Sequence, residues 1–574
     1  MPAGGLMGQE RRAGRRLILM WATVAVTAGC LVLLLVGTGS GRAAQRHKTR
    51  HIPNGPQANN DTYATANVGT LAEHSRQGVL ANDGGGPLQM ISHTDPTHGS
   101  LTLKPDGAFE YVPQNGFTGT DTFTYTVANA VHLFSTHLPS LGTFGGVSLS
   151  GGGYGSSLYP VPGHPDEFYG LEDRGPNVSP AAPPNTDVLP IPSFDPAIGE
   201  FRFESDGRAV MVRKIKLRDA QGHPFSGLVN SQNPTGEQIE DLAGNVLAQD
   251  PDGYDSEGLV ALPDGTFWVS DEYGPFITHF NSRGDEIGRL SPLNGSLPHE
   301  LLNRVPNRGM EGLTITPDGK TLVGMMQSSL QQPDLQGSNA KSLTPLRIVT
   351  YGLRTHQLHE YLYLLHDPKT NGTAVSELTA LSNSTFLVDE RDGNFPAAGG
   401  FKKLFEINLA GATDVGPSSH VPGAVYDGSG EGLLVGGKSI ELLTKGLDTA
   451  DSQAALAAAG IKTVSSTLYL DMDSLLLSLD SQGRFYSHDK IEGVAALDGG
   501  HEIVISNDSD FGISGVTNAA PPWQLQAKIS PATGQQDDGE YLEIDPDKLA
   551  SAASSTPSAA QTSTATVTIH VRAG

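Results

Sequence analysis

Cysteine is nearly missing from this sequence: the single one in 574 residues, Cys30, sits inside an apolar run near the N-terminus. That excludes intrachain disulfides, and it leaves the rest of the chain without a thiolate metal ligand or nucleophile. Charge is also scarce, at 17% of residues, and it leans one way, with 37 Lys and Arg against 62 Asp and Glu for a net −25. Five arginines (11, 12, 15, 16 and 42) fall within residues 1–44 beside one acid, Glu10, which leaves 32 basic and 61 acidic residues beyond. A body this acidic, with no basic run, repels nucleic acid and favours cations as partners. Several catalytic signatures are absent as well: a Gly-x-Ser-x-Gly elbow, a His-Glu-x-x-His helix, a Gly-Lys-Ser/Thr phosphate loop and an Arg-His-Gly of histidine phosphatases. His488-Asp489 is a dyad by sequence neighbourhood only.

Long apolar runs are missing too, apart from Leu17 to Gly37, which follows Arg11-Arg12 and Arg15-Arg16. Its 21 residues are long enough to span a bilayer as one hydrophobic helix, with the N-terminus inside. The small residues Ser40-Gly41-Arg42-Ala43-Ala44 instead fit a signal peptide cut near Ala43 or Ala44. Both readings of residues 1–44 stand, and under each the bulk of the chain leaves the cytoplasm, secreted or membrane-anchored. Arg15-Arg16-Leu17-Ile18-Leu19 is a weak twin-arginine match, and the apolar run after Cys30 argues against lipidation of Thr27-Ala28-Gly29-Cys30.

What is abundant is turn chemistry. Gly 70 and Pro 38 suit a turn-rich β protein, and the length calls for two or more domains. Asp255-Ser256-Glu257-Gly258-Leu259, followed by Pro263-Asp264-Gly265 and a strand ending Asp271-Glu272-Tyr273-Gly274, reads as strand, tight turn and strand. Variants recur at Met310-Glu311-Gly312-Leu313, Ser376-Glu377-Leu378 and Lys490-Ile491-Glu492-Gly493, with a degenerate first copy at Tyr154 to Leu158. Hairpins repeating at this period must pack against one another, and a β-propeller is the usual all-β solution. The glutamates are spaced 54, 66 and 115 residues apart, the last about two periods with Glu431 near its middle. Four-stranded blades across roughly 360 residues therefore predict about six blades, with seven also open.

Residues 59–130 carry short alternating strands with turn signals about every ten residues, a small sandwich pattern. Asn60-Asp61-Thr62-Tyr63, Gly78-Val79-Leu80-Ala81-Asn82-Asp83 and Asp121-Thr122-Phe123-Thr124-Tyr125-Thr126-Val127 resemble the bacterial Ig-like or cadherin-like repeat of large surface proteins. The last strand of such repeats is missing at Asn129-Ala130, and the alternation of Ala565 to Val571 supplies a candidate at 565–572. The expected architecture is thus an all-β chain in which a propeller, 131–545, is inserted into a small Ig-like sandwich. An Ala/Ser/Thr-rich return linker would occupy 550–564. The alternative is a disordered tail. A short helix is expected around Ala454–Ala459, capped by Asp451 or Ser452.

The repeat set resembles the "esterase-like activity of phytase" family of exported bacterial proteins. The carrying motifs are Asp173-Arg174-Gly175-Pro176, the repeats above, Asn307-Arg308-Gly309-Met310, Glu390-Arg391-Asp392 and Asp508-Ser509-Asp510-Phe511. Gln327 stands where the family is expected to carry Glu, a loss of one acidic ligand. The resemblance implies a propeller-like fold but leaves the reaction open.

From the residues themselves, a Glu at one place in successive blades projects at one radius, so Glu257, Glu311, Glu377 and Glu492 are expected to converge on the channel. Crowded carboxylates need protons or a cation, and an oxygen-only donor set points to Ca²⁺. Asp255 and Asp508 join these four as metal candidates; Asp271, Glu272 and Asp389 are further acids. Catalytic candidates are Glu257, Glu311, Glu492, Asp271 and Glu272. The structural alternative is that each Glu caps a turn or bonds the neighbouring blade. Arg174, Arg308, Arg391 and Lys490, each beside an acid, would bind a phosphorylated or other ester substrate, or else form interblade ion pairs. The expectation is a Ca²⁺-dependent phosphoester hydrolase; the alternative is a non-catalytic surface binding or adhesion protein with structural Ca²⁺.

Overall fold

The computed structural model describes residues 55–550 and 559–574. The hydrophobic helix expected near the N-terminus, and most of the expected linker, lie outside them. No helix among the described residues is long and apolar enough to cross a membrane.

Residues 61–128 form two facing sheets. One runs in the order Asp61–Ala66, Thr562–Arg572, Gly119–Ala128, Gln89–His93, and the other Leu71–Glu73, Phe109–Pro113, Gly99–Leu103. The C-terminal strand pairs antiparallel with Gly119–Ala128 and parallel with Asp61–Ala66, so it fills the centre of its sheet. Its alternation buries Ala565, Val567, Ile569 and Val571 against Val79, Phe109, Tyr111, Phe123 and Tyr125. Everything between Ala128 and Thr562 leaves and re-enters the sandwich through neighbouring strands. Ile91 and Ala128 continue its core into that of the next sheet, and Gln89 Oε1 accepts from Leu133 N at 3.0 Å.

That intervening region holds five four-stranded antiparallel sheets. Blade 1 is Ser157–Pro160, Glu167–Leu171, Ala197–Phe203 and Ala209–Lys216, and blade 2 is Ser256–Ala261, Phe267–Asp271, Ile277–Phe280 and Glu286–Leu290. Blade 3 is Met310–Ile315, Thr321–Met326, Pro345–Gly352 and Leu358–Leu364; blade 4 is Ala374–Ala380, Thr385–Arg391, Lys402–Asn408 and Ser465–Asp471. Blade 5 is Ile491–Leu497, Glu502–Asn507, Glu540–Ile544 and Val131–Ser135, so a strand from the start of the region completes its last sheet. The first strands of successive blades pack together in order, and that of blade 5 packs on that of blade 1, a propeller-like ring.

The count is five where the spacing predicted about six. The 115-residue interval holds a single blade whose third and fourth strands are separated by an insert. The insert contains the hairpin Ala424–Asp427 with Gly432–Val435 and the helices Ile440–Thr444 and Thr449–Ala458. Glu431 lies at that hairpin, where its carboxylate accepts from Asp334 N at 3.1 Å; it marks no blade. The helix expected near 454 starts earlier, with Asp448 as its cap.

The Glu-Gly pair of the repeat has a packing cause. A Cβ on Gly258 would stand 2.7 Å from Glu311 O, one on Gly312 2.8 Å from Leu378 N, and one on Gly493 2.8 Å from Leu158 N. Each glycine thus lets the inner strand of the following blade approach closely. The preceding glutamate sits at a register shift in its strand, between Ser256 and Leu259, Met310 and Gly312, or Ile491 and Val494. Such bulges re-aim a side chain.

Candidate metal and substrate site

Strand register defines which residues are equivalent. Leu158, Leu259, Leu313, Leu378 and Val494 pair with Gly170, Val269, Gly324, Val388 and Ile505. Counting two back from each of the former gives one tier: Ser156, Glu257, Glu311, Ser376 and Glu492. Counting three on from each of the latter gives a second: Asp173, Glu272, Gln327, Arg391 and Asp508.

Glu377 therefore stands one residue out of register, at the position of the repeat's glycine. Its Oε2 accepts from Ser157 Oγ at 2.5 Å and its Oε1 from Leu313 N at 3.1 Å and Leu378 N at 2.8 Å. It bonds three blades together and is not brought to the other glutamates. Ser376 holds the equivalent place and accepts from Arg391 Nε at 3.0 Å.

Asp255, Glu257 and Glu272 are brought together: each offers a carboxylate oxygen within 4.8 Å of the others, and all three are buried. Asn307, with its amide nitrogen turned inward, donates to Asp255 Oδ2 at 2.9 Å and Glu272 Oε2 at 3.2 Å. Glu311 adjoins Glu272 closely enough for the two carboxyls to share a proton, and no N–H or O–H donor reaches the buried Glu272 Oε1 and Glu311 Oε2. Burial, then the charges of Glu311, Asp255, Glu272 and Glu492, pushes Glu257 well above the usual carboxylate range. Burial likewise raises Glu272 far up and Glu311 to about 8. Gln327 hydrogen-bonds Glu311 in the position where an acid was expected, so this tier carries one carboxylate fewer. Crowding of this kind is relieved only by protons or a cation, and the donors are all oxygen.

The remaining candidates divide. Asp271 spends its oxygens on the backbone N–H of Asp255 (2.9 Å), Tyr273 (3.0 Å) and Gly274 (2.6 Å), so it shapes the loop that presents Glu272. Glu492 is paired with Arg391 Nη2, and burial outweighs that help to raise it to about 7. Lys490 Nζ reaches Asp508 Oδ2 at 2.8 Å and Asp510 Oδ1 at 2.6 Å. Arg174 donates to Tyr273 Oη and to Asn177 Oδ1 and lies 3.6 Å from Asp255 and 3.5 Å from Asp187. Asp389 is buried with neither carboxylate oxygen hydrogen-bonded, and burial raises it strongly despite Arg391 and Lys402.

In the sequence, Asp173, Asn307 and Asp510 stand out only as members of the family motifs, with no role of their own, and Lys528 does not stand out at all. Lys528 Nζ bridges Asp489 (2.5 Å), Asp510 (2.8 Å) and Asp537 (3.2 Å), and nothing in its local sequence marks it. Asn307 could have been found as the polar neighbour of Arg308 in a recurring motif.

A family model described as "Esterase-like activity of phytase" matches residues 151–511, and a bacterial Ig domain model matches 53–137. The chain belongs to the phytase-like family. It is 31% identical over 234 residues to an "Uncharacterized secreted protein" of Arthroderma benhamiae, a match spanning 32% of this chain and 45% of that relative. Among solved structures it is similar to a luciferin-regenerating enzyme (9% identity, 80% of this chain and 94% of that one, TM-score 0.28). A protein from Lactobacillus plantarum is similar at 11% identity, over 72% of this chain and 99% of that one, with TM-score 0.29.

Proposed function

We propose that the protein is an exported hydrolase of phosphoesters that works with Ca²⁺ held by Asp255, Glu257 and Glu272, with Glu311 at the edge of the set. The observation that carries this reading is the convergence of three buried carboxylates, with the Glu311 carboxyl against that of Glu272. Hard oxygen donors fit Ca²⁺, and the Asn307 amide offers one more oxygen if it turns. Bound there, the ion would neutralise phosphoryl oxygens and lower the pKa of a coordinated water. Arg174 fixes Asp255, Asp271 fixes the Glu272 loop, and Arg391 fixes Glu492, so the acids are preorganised by their neighbours. Glu377 is left out of the proposed ligand set because its oxygens are committed to Ser157 and backbone N–H groups. The extracytoplasmic location follows the N-terminal run of the sequence and is in keeping with the secreted relative of Arthroderma benhamiae; if that run is uncleaved, it anchors the protein to the membrane.

The near-complete burial of Asp255 and Glu272, at 2% exposure each, favours a second reading, a binding protein whose Ca²⁺ is structural. Phosphate release from phytate and simple phosphomonoesters, with Ca²⁺ and with chelator, tests the hydrolase. Ca²⁺-dependent turnover that disappears in Glu257→Gln and Glu311→Gln supports it; no turnover under either condition leaves the binding protein.

A further inference from the structure

Arg174, Arg391, Lys490, Arg304 and Arg308 are five of the cationic side chains around the carboxylate cluster or its rim, and four of these are committed. Arg174 is held by Asp255, Asp187, Asn177 and Tyr273; Arg391 by Glu492 and Ser376; and Lys490 by Asp508 and Asp510. Arg304 gives its donors to the carbonyl oxygens of Glu272, Leu302 and Asn233. The fifth, Arg308, differs. Among the described residues, its guanidinium makes no side-chain hydrogen bond and no ion pair within 4 Å, and it feels the charges of Glu272, Glu311 and Glu492 only from further off; the ammonium of Lys341 in the loop beside it stands likewise toward Glu272 and Glu237.

Shortage of acids does not explain this, because the chain holds 62 of them against 37 basic residues. The two cations are also fixed near one another by the fold. Lys341 lies in the single turn Ala340–Ser342, where Asn339 Oδ1 accepts from Lys341 N at 3.0 Å. That turn is tied down by Ala340 N donating to Gln331 Oε1 at 3.2 Å, and by Ala340, Leu335 and Leu343 packing on Val305. Val305 in turn bridges to Arg308. The next residue, Gly309, is pressed so closely on blade 2 that a Cβ there would stand 2.2 Å from Glu272 O. Asn307 and Arg308 are consecutive, so one short segment presents an amide to Asp255 and Glu272 and, within reach of the Glu272 charge, a guanidinium that makes no close ion pair. Desolvation lowers both groups, helped for Lys341 by the charge of Arg308 and for Arg308 by that of Arg391.

We propose that Arg308 and Lys341 form an anion subsite next to the carboxylate cluster and that it receives the phosphate of a phosphomonoester. Arg391, Lys490 and Arg174 are spoken for and serve the architecture of the site. A guanidinium fork with a nearby ammonium matches a tetrahedral oxyanion, whose charge would also be drawn to a cation among Asp255, Glu257 and Glu272. This subsite deepens the hydrolase reading above and rests on it for the identity of the anion.

Inorganic phosphate is the probe, titrated calorimetrically into the full-length protein with and without Ca²⁺, while Ca²⁺ binding is measured separately on the same samples. Arg308→Gln and Lys341→Gln should each weaken phosphate at least about tenfold, one charged hydrogen bond apiece. Neither should lower the melting temperature by as much as Arg391→Gln, since neither side chain gives up a hydrogen bond or a close ion pair; Lys341 lies on an exposed turn and guards against a folding artefact at Arg308. Arg391→Gln should behave oppositely and destabilise the fold. Unchanged phosphate affinity in the double variant, or no phosphate binding by the unmodified protein, overturns the subsite. Loss of the Ca²⁺ reading shows separately, as an absence of Ca²⁺ binding while the phosphate titration still responds to Arg308 and Lys341.

Discussion

Ser157 and Glu377 meet from the inner strands of blades 1 and 4, which are not neighbours in the ring, with Ser157 Oγ donating to Glu377 Oε2 at 2.5 Å. The same carboxyl also takes the Leu313 N–H of blade 3, and Leu259 N of blade 2 donates to Ser157 Oγ at 3.1 Å. One side chain thus ties the inner strands across the ring, and burial pushes its pKa well above the usual carboxylate range. Glu377→Ala should lower stability by on the order of 3 kcal/mol in chemical denaturation, because it strands several buried donors. The uncharged isostere in Glu377→Gln should lose much less, and its Ca²⁺ affinity should match that of the unmodified protein.

Gly312 is predicted to be intolerant of the smallest side chain. Its added Cβ would meet Leu378 N at 2.8 Å and Glu377 C at 3.1 Å, both backbone atoms of the next blade that cannot step aside. Gly312→Ala should therefore destabilise by about 1–3 kcal/mol, the range of overpacked cores, whereas Gly319→Ala, in an open turn, should show only the smaller strain of its positive φ. Thermal unfolding of the two variants makes the comparison.

His488 lies buried between Asp537, 2.6 Å from Nδ1, and Glu540, 3.0 Å from Nε2, with the Tyr486 ring edge-on at 4.5 Å. Desolvation opposes its charge, but the two carboxylates prevail and lift its pKa to about 9. The folded value exceeds the ordinary 6.5, so the stabilisation is fully present below pH 6.5 and is lost as pH rises through 9. The linkage is on the order of 3 kcal/mol. The melting temperature should fall between pH 6.5 and 9.5, and His488→Gln should be destabilised at the lower pH and lose that part of the slope.

The strand Thr562–Arg572 lies between Asp61–Ala66 and Gly119–Ala128. Truncation after residue 550 would expose Phe123, Tyr125 and Val127, leave Asp61–Ala66 without its ladder partner and open one edge of Gly119–Ala128, which keeps its pairing with Gln89–His93. The truncated chain should show an earlier unfolding transition and binding of a hydrophobic dye. An unchanged melting profile would mean the strand contributes nothing to the sandwich.

Much of this arrangement can be read from residue order because it is local. Glu257-Gly258-Leu259 and its copies report a bulge and a close interblade approach, and Asp264-Gly265 and Asp318-Gly319 report the turns between first and second strands. What escapes is set by distance along the chain. The insert between Asn408 and Ser465 is about one period long and carries Glu431-Gly432-Leu433, which mimics the repeat, so it passes for a blade. Glu377 resembles its counterparts in composition, yet the residue pattern Val375-Ser376-Glu377-Leu378 places it one position on, where it plugs the ring. Lys341, Asp510 and Lys528 acquire meaning only when loops remote in sequence fold beside the cluster.

A cation held by Asp255, Glu257 and Glu272 is measured directly by a calorimetric Ca²⁺ titration. Ca²⁺ should bind the unmodified protein and raise its melting temperature, Glu257→Gln and Glu272→Gln should each abolish both effects, and Glu377→Gln should retain them. No Ca²⁺ binding, or binding that survives both Glu257→Gln and Glu272→Gln, would contradict it.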